Sequence, residues 1–343
     1  MKIINQEAVL LDQTGLTPYQ VIERVGRTCY QSLDKITDDS AKPFVERLFK
    51  AGHHAALEFG YVYIKITNID LLEFLNKTVS ISNYIRLCGN ALVGSLRAFY
   101  DWFKHMYELS VDGTPMGADL YDLILENRDN VIELTDAFSR LYPGIFFGCN
   151  SDFWDEFADD EMSVSVLDPF QMDDPFIFMT REGFIKYINE SEYTREAKMW
   201  LIPHTVMFTT SRGITHELCR HRPGAHMMES TRYCKYDKGI TVIKPYFNDV
   251  MDHTRSTIWK MNMEMAETHY IALIDAGAKP EAARDVLPHA IKADYWMSFY
   301  EDGWQHIIDL RYHGKTGAPH PQMKELMGIA YPQLNEASEG RII

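Results

Sequence analysis

The sequence predicts an α+β fold in which helices outnumber strands. Helical patterns recur along the chain, whereas only a few short stretches have the β-branched and aromatic composition typical of strands. These strands do not alternate regularly with helices, as they would in a doubly wound parallel sheet. The 343 residues are 46% hydrophobic and 24% charged, a balance that excludes disorder as the main state.

Four elements are predicted in the first third of the chain. They are helices from Thr17 to about Tyr30 and from near Ser40 to just before Gly52, a strand at 61–67 and a helix at 91–107. Thr17 followed by Pro18 is typical of a helix start, and glycine commonly follows a helix end. The strand is predicted because apolar side chains alternate with aromatic and polar ones.

The rest of the chain is predicted to be mostly helical. The predicted helices are 119–126, 131–141, 181–190, 213–221, 251–276, 281–287, 302–310 and 322–330, and the predicted strands are 205–209, 241–243 and 293–299. Pro288 should end the helix before it. The acidic stretch 152–161 is interpreted as a solvated loop or frayed helix rather than as an interaction patch.

Charge, hydropathy and cysteine content disfavour several classes of protein. The net charge is −15. Nucleic-acid binding is disfavoured because phosphate backbones repel an acidic surface. No apolar run approaches the ~20 residues that span a bilayer, and the first residues do not resemble a secretory signal. Five sparse cysteines without C-x-x-C favour neither a disulfide framework nor a zinc ribbon. We therefore expect a protein of the reducing cytoplasm.

Positive charge is concentrated between Arg212 and Lys244. This stretch has seven cations and three acids, so its charge is +4, while the other residues sum to −19. Such an island in an acidic protein indicates a specific anion site. The alternative is a basic surface strip that forms ion pairs with acids elsewhere, and charge alone does not decide between them.

Within the island, Arg220, His221 and Arg222 precede Pro223. Because the residue before proline avoids the helical conformation, the helix is predicted to end at Arg222. Guanidinium groups at a helix end are favoured by the helix dipole and can clamp phosphate oxygens in a bidentate way. Further phosphate donors follow: Ser230, Thr231 and Arg232.

A zinc-hydrolase motif is a competing interpretation. His216, Glu217 and His221 read H-E-x-x-x-H, whereas the motif requires two histidines four residues apart on one helix face. A spacing of five rotates the second histidine by roughly 140° at ~3.6 residues per turn. We therefore predict no metal site.

The segment from Arg220 resembles a family motif. Arg220-His221-Arg222, seven further residues, Ser230 and then Thr231-Arg232-Tyr233 resemble the RHRx7S motif of the flavin-dependent thymidylate synthases, the ThyX family. Other segments are similar to family segments in the same order: 27–30, 52–58, 287–288, 309–311 and 320–322. Together they cover residues 20–66 and about 200–330.

This resemblance implies a single ThyX-like domain over residues 1–343, with a central antiparallel sheet and flanking helices. Residues 90–198 would be a helical insertion typical of longer members. It also implies FAD bound between the subunits of a homotetramer. The implied reaction is the reductive methylation of dUMP to dTMP, with methylenetetrahydrofolate as carbon donor and NADPH as the reductant of the flavin.

The resemblance also implies roles for individual residues. The cofactor-binding candidates are His53, Arg220, His221, Arg222, Glu229 and His306. The substrate-binding candidates are Glu217, Arg220, Glu229, Ser230, Thr231, Arg232 and Arg311. Arg311 is the catalytic candidate, because a guanidinium beside uracil favours ionisation of N3 and makes C5 more nucleophilic. The alternative for Arg311 is an ion pair with Asp309 or Asp294.

Two acids depart from the family pattern. Glu217 stands where the family has glutamine, and Asp294 where it often has a phosphate-binding arginine. A carboxylate ~5 Å from a phosphate would cost roughly 3 kcal/mol at an effective dielectric of ~20. We therefore expect these acids to pair with arginines, to point elsewhere or to reflect a changed nucleotide.

Two alternative functions remain for the protein as a whole. They are modification of a different pyrimidine nucleotide and a non-catalytic flavin- or nucleotide-binding homologue.

Overall fold

A computed structural model describes most of the chain in two compact units. The described residues are 1–82, 84–110, 115–146, 175–246 and 253–343. Unit 1 comprises Met1–Asp12, Arg24–Ile36 and Ile202–Ile343. Unit 2 comprises Gln13–Glu23 and Thr37–Leu201.

Helices make up most of the described secondary structure. The α-helices are α1 (Pro18–Thr28), α2 (Ala41–Lys50), α3 (Ile69–Thr78), α4 (Leu96–Ser110), α5 (Pro115–Glu126), α6 (Arg128–Leu141), α7 (Pro143–Phe146), α8 (Arg181–Glu190), α9 (Arg195–Leu201), α10 (Arg212–Leu218), α11 (His253–Asp275), α12 (Pro280–Ala283), α13 (Glu301–Ile308) and α14 (Pro321–Ala337). The strands are β1 (Lys2–Ile4), β2 (Glu7–Leu10), β3 (Tyr61–Ile66), β4 (Ile85–Cys88), β5 (Ala91–Ser95), β6 (Phe176–Met179), β7 (Pro203–Ser211), β8 (Ala225–Met228), β9 (Thr241–Ile243) and β10 (Lys292–Tyr300).

Unit 1 is built on an antiparallel sheet of four strands in the order β2-β7-β10-β8. The two central strands are nine residues long, with Phe208 of β7 opposite Tyr295 of β10. Both strands are almost fully buried, and Phe208 of β7 and Phe299 of β10 pack against Trp304 of α13 in the core. A parallel pair, β1 and β9, lies in the same unit. The long, buried central strands give the functional side chains a rigid support.

Unit 2 has its own antiparallel sheet, in the order β4-β5-β3-β6. Its helices contribute an aromatic cluster in which the Phe138 ring centroid lies 4.7 Å from that of Phe99 and 5.0 Å from that of Phe146. These rings are fully buried and supply a separate core for this unit.

The α+β class with antiparallel sheets is confirmed, and the described strands form two antiparallel four-stranded sheets and one parallel pair where a single central sheet was expected. Residues 90–198 contain β5 and β6 as well as helices. That this range is an insertion stays a prediction. None of the helices in the described ranges is long and apolar enough to cross a membrane.

Two of the predicted helices have the wrong bounds. Residues 91–95, predicted as the start of a helix, form β5 because they pair with β3 and β4, and the helix begins at Leu96. The helix predicted for 213–221 ends at Leu218, so Arg220 to Arg222 lie beyond it. The acidic stretch 152–161 lies outside the described residues.

Candidate active site

The site begins where β7 passes directly into α10. Ser211 ends the strand and caps the helix, because its hydroxyl accepts a hydrogen bond from the Ile214 backbone N–H at 3.4 Å. The seven-residue helix carries Glu217 near its end. An arginine-rich loop, 219–224, follows, with Arg220 in its first turn and His221 and Arg222 in the irregular part after it.

The chain then returns to the sheet through Gly224. A Cβ added at Gly224 would lie 2.2 Å from the ring of Phe299, so only glycine permits this approach to β10. The next residues form β8, whose Met228 lies opposite Tyr295 of β10. The arginine-rich loop is thereby anchored to the central strand.

Arg311 reaches the same loop from a later part of the chain. Helix α13 continues into a π-helical turn, Asp309–His313, which ends at Gly314 with a φ of +70°. Arg311 donates from Nε to His221 Nε2 at 3.1 Å and from Nη1 to Glu217 Oε2 at 3.2 Å. The predicted alternative, an ion pair with Asp309 or Asp294, is therefore wrong: the acid that Arg311 contacts is Glu217.

His221 is held as a neutral ring. Burial, together with the nearby cations Arg311 and Arg222 and the rings of His306 and His226, lowers the pKa of His221 to about 4. Because Nε2 accepts from Arg311, the ring proton belongs on Nδ1. The structure therefore brings His221, Arg222, His306 and Arg311 together, while the roles implied for them stay predictions.

The backbone carbonyl oxygen of His221 accepts hydrogen bonds from two further side chains. It accepts hydrogen bonds from Arg222 Nη1 at 2.9 Å and from His226 Nε2 at 3.0 Å. The other nitrogen of His226, Nδ1, lies 2.6 Å from the hydroxyl of Tyr295. Since a carbonyl only accepts, His226 carries its proton on Nε2 and the Tyr295 hydroxyl donates to Nδ1. Burial lowers the pKa of His226 to about 4, so this ring is neutral too.

Glu229 directly precedes Ser230, Thr231 and Arg232, the second group of predicted phosphate donors. Its side chain is completely buried. Its carboxylate accepts from Gln31 Nε2 at 2.7 Å, the Tyr236 hydroxyl at 2.6 Å and Lys292 Nζ at 2.8 Å. The Asp294 backbone N–H adds a fourth contact at 3.3 Å. The carboxylate is thus fully satisfied within the protein, which gives Glu229 a structural part in the site.

Among the described residues, Asp294 pairs with a lysine rather than with an arginine. Its carboxylate accepts from Lys292 Nζ at 2.6 Å and from the Thr209 hydroxyl at 2.8 Å. Burial lowers the pKa of Lys292, but Glu229 and Asp294 outweigh it and the pKa is raised overall. Of the two unexpected acids, Glu217 is therefore neutralised by an arginine, as expected, and Asp294 by a lysine.

The loop after Glu229 carries the remaining donors. Ser230 donates its backbone N–H to the Cys29 carbonyl at 3.2 Å, which ties the loop to the N-terminal part of unit 1. The Ser230 hydroxyl accepts from the Arg232 N–H at 3.3 Å. Arg232 itself is exposed, with its Nε 3.2 Å from Glu281 Oε2.

Two cavities open beside these groups. One of about 260 Å³ is lined by Glu217, by apolar Ile214, Ile243 and Ala290, and by His289. The other, of about 410 Å³, adjoins Glu229 and is lined by Gln31, Lys235, Tyr236, Lys238 and Lys292.

His53 is the predicted site residue that belongs to unit 2. It is exposed and precedes the short 3-10 helix His54–Phe59. The neighbouring His54 stacks on Phe49, with ring centroids 4.7 Å apart. The role of His53 stays a prediction.

Sequence reasoning missed the supporting residues: Gln31, His226, Tyr236, Lys292 and Tyr295. Of the two on β10, Lys292 had a signal, because it lies on the same face of the strand as Asp294. His226 carries no such signal in the sequence. Its hydrogen bonds depend on the register of β8 with β10, which the sequence does not specify.

Comparison with known families identifies the chain's relatives. The model of the family Thy1, thymidylate synthase complementing protein, matches residues 162–336, which is slightly more than half of the chain. The chain belongs to this family, and the membership predicted from the RHRx7S motif is confirmed. No curated protein matches the sequence.

Two solved structures are among those similar to this chain. The UMP/dUMP methylase PolB from Streptomyces cacaoi, bound with 5-Br dUMP, is 20% identical, over 40% of this chain and 70% of that one, with a TM-score of 0.36. ThyX from Helicobacter pylori, with FAD and dUMP, is 18% identical, over 45% of this chain and 80% of that one, with a TM-score of 0.33. Both similarities are distant, and no residue assignment depends on them.

Proposed function

We propose that this protein is a flavin-dependent enzyme that methylates a pyrimidine nucleotide, in the simplest case dUMP to dTMP. Methylenetetrahydrofolate would supply the carbon and NADPH the reducing equivalents. One observation carries the proposal: Arg222 and Arg311, 89 positions apart in the sequence, both donate to His221. Family membership supports the same reaction class.

The donor set of this loop fits a flavin dinucleotide. Arg220 and Arg222 are exposed guanidinium groups, which suit phosphate oxygens, and they flank the buried neutral His221. His306 lies nearby on α13. Bound FAD would supply hydride chemistry, and Arg220, His221, Arg222 and His306 would hold it. We propose His53 of unit 2 as a further contact.

Arg311 would act on the pyrimidine through its permanent charge. A guanidinium beside the ring lowers the pKa of N3–H and so favours the ionised form, in which C5 is a better nucleophile. The hydrogen bond from Nε to the neutral His221 fixes the orientation of the guanidinium, while the ion pair with Glu217 offsets part of its charge. His221 would thus position Arg311 as well as contact the cofactor.

The loop after Glu229 would hold the nucleotide phosphate. Ser230, Thr231 and Arg232 offer two hydroxyls and a guanidinium within three residues. Glu229 would support this loop from behind, since its own carboxylate is occupied by protein donors. We also propose a homotetramer, on the resemblance alone. A reducing compartment likewise stays a proposal, made on the sparse cysteines of the sequence.

Spectroscopy and product analysis test the proposal. The purified protein should be yellow, its flavin should bleach with NADPH, and oxidation should follow when dUMP and methylenetetrahydrofolate are added. Labelled dUMP should give labelled dTMP, and Arg311→Ala should abolish product while leaving flavin absorbance. A colourless protein that takes up no FAD and forms no product from any pyrimidine nucleotide would refute the proposed function.

A further inference from the structure

Glu217 and Arg311 present an acceptor and donors side by side. Glu217 Oε2 accepts from Arg311 Nη1 at 3.2 Å, and the side chains are 31% and 25% exposed, so both remain accessible to a ligand. Arg311 Nε is engaged by His221. Three of the five guanidinium hydrogens, both on Nη2 and the second on Nη1, are therefore not used by these contacts.

This pairing distinguishes the two common pyrimidines. Cytosine presents an amino donor at C4 followed by acceptors at N3 and O2, whereas uracil presents an acceptor, the N3–H donor and a second acceptor. With cytosine, Glu217 can accept from the C4 amino group while Arg311 donates to N3 and O2. With uracil, Glu217 faces either O4, which sets acceptor against acceptor, or N3–H, which holds the proton in place.

We propose that the pyrimidine site also takes cytosine nucleotides, with Glu217 as the residue that recognises the C4 amino group. This inference rests on the proposed function, because the position of Arg311 against the pyrimidine is part of that proposal. A glutamine amide in this position would carry both an acceptor and a donor and could serve either base. A carboxylate offers acceptors alone, so Glu217 favours the base whose edge begins with a donor.

The surroundings of Glu217 suit a flat ring. The 260 Å³ cavity beside it is lined by apolar Ile214, Ile243 and Ala290, against which the face of a base can lie, and by polar side chains that include His289 and His320. Glu217 is the acidic residue among the described residues that line this cavity. With the face of a base against the apolar side chains, the Glu217 carboxylate would meet the polar edge of that base and so orient it.

The test is nucleotide affinity in the FAD-loaded protein, measured by isothermal titration calorimetry. We expect wild type to bind dCMP at least as tightly as dUMP. Glu217→Gln should weaken dCMP relative to dUMP by roughly tenfold, since a charged acceptor becomes neutral. Glu217→Met, which removes the acceptor, should weaken it by roughly 10- to 100-fold. Glu190→Gln, which alters an exposed acid on α8, is the matched control and should leave both affinities unchanged.

The outcomes separate the two proposals. If dUMP binds and dCMP does not, or if both Glu217 variants leave the dCMP-to-dUMP ratio unchanged, the inference is wrong and the proposed function stands. If the protein takes up no FAD and binds neither nucleotide, the proposed function fails and the inference fails with it.

Discussion

Arg311 donates a hydrogen bond from Nε to His221 Nε2 across 3.1 Å, although 90 positions separate the two residues in the sequence. The bond joins the arginine-rich loop to the π-helical turn after α13. It also requires His221 to be neutral, because a protonated ring has no acceptor nitrogen. A positive side chain and a neutral ring thus hold each other in place at the centre of the site.

The first prediction concerns the shape of that positive group. Arg311→Lys keeps the charge but loses the planar fork that meets His221 and Glu217 together. We expect kcat for nucleotide methylation to fall by roughly 100-fold or more, by loss of one positioned charge contact in the transition state. Steady-state kinetics measures this. Lys315→Arg, an exposed change in the same region, is the control, and equal kcat values for Arg311→Lys and wild type would contradict the role given to Arg311.

The second prediction is a loss of stability in mild acid. His221 and His226 have pKa values of about 4 in the folded protein, against an ordinary value near 6.5. Between these limits the unfolded state binds more protons than the native state. Their contribution is therefore complete above about pH 6.5 and declines as the pH falls towards 4, by at most about 1.4 kcal/mol per pH unit for each histidine.

Urea unfolding at pH 7.5, 6.0 and 5.0 measures this slope. His226→Gln should reduce the dependence of the free energy of unfolding on pH, because one of the two depressed groups is gone. His269→Gln, an exposed position on α11, should leave the slope unchanged. A slope that is the same in all three proteins would show that His226 is protonated normally.

How far the sequence predicts this molecule depends on the range of the interactions. The strand at 241–243 and the helix at 181–190 are predicted with their observed bounds, because apolar periodicity is a local signal. Residues 91–95 were predicted as helix and form β5, because pairing with two distant strands outweighs local preference.

The same distinction applies to the site. Arg220, His221, Arg222 and Arg311 are recognisable in the sequence because a motif has fixed spacing. The hydrogen bond of His226 with Tyr295 is not, because it depends on the register of two strands that are 64 or more positions apart. Nor does the sequence indicate that Glu217, rather than Asp309 or Asp294, is the acid that pairs with Arg311.

The third prediction concerns the hydrogen bond between Tyr295 and His226. Tyr295→Phe removes the hydroxyl that donates to His226 Nδ1, while the ring still packs in the sheet. Because this donor stabilises the neutral ring, the pKa of His226 should rise above about 4. NMR titration of the histidine ring protons measures the shift, and Tyr331→Phe on α14 is the control. An unchanged pKa of His226 would mean that burial alone keeps the ring neutral.

The last prediction concerns the buried support of the phosphate-binding loop. Glu229→Gln keeps the shape of the side chain but turns an amide donor towards Lys292, Tyr236 or Gln31, all of which donate to the carboxylate. Breaking a buried ion pair from one side costs about 3–5 kcal/mol, so the free energy of unfolding should fall by about that amount in urea titrations. Glu190→Gln removes an exposed acid whose pairing distance to Lys186 is 3.9 Å, and should change stability by less than about 0.5 kcal/mol. If both variants unfold at the urea concentration of wild type, Glu229 does not hold this loop, and its carboxylate would instead be available to a bound ligand.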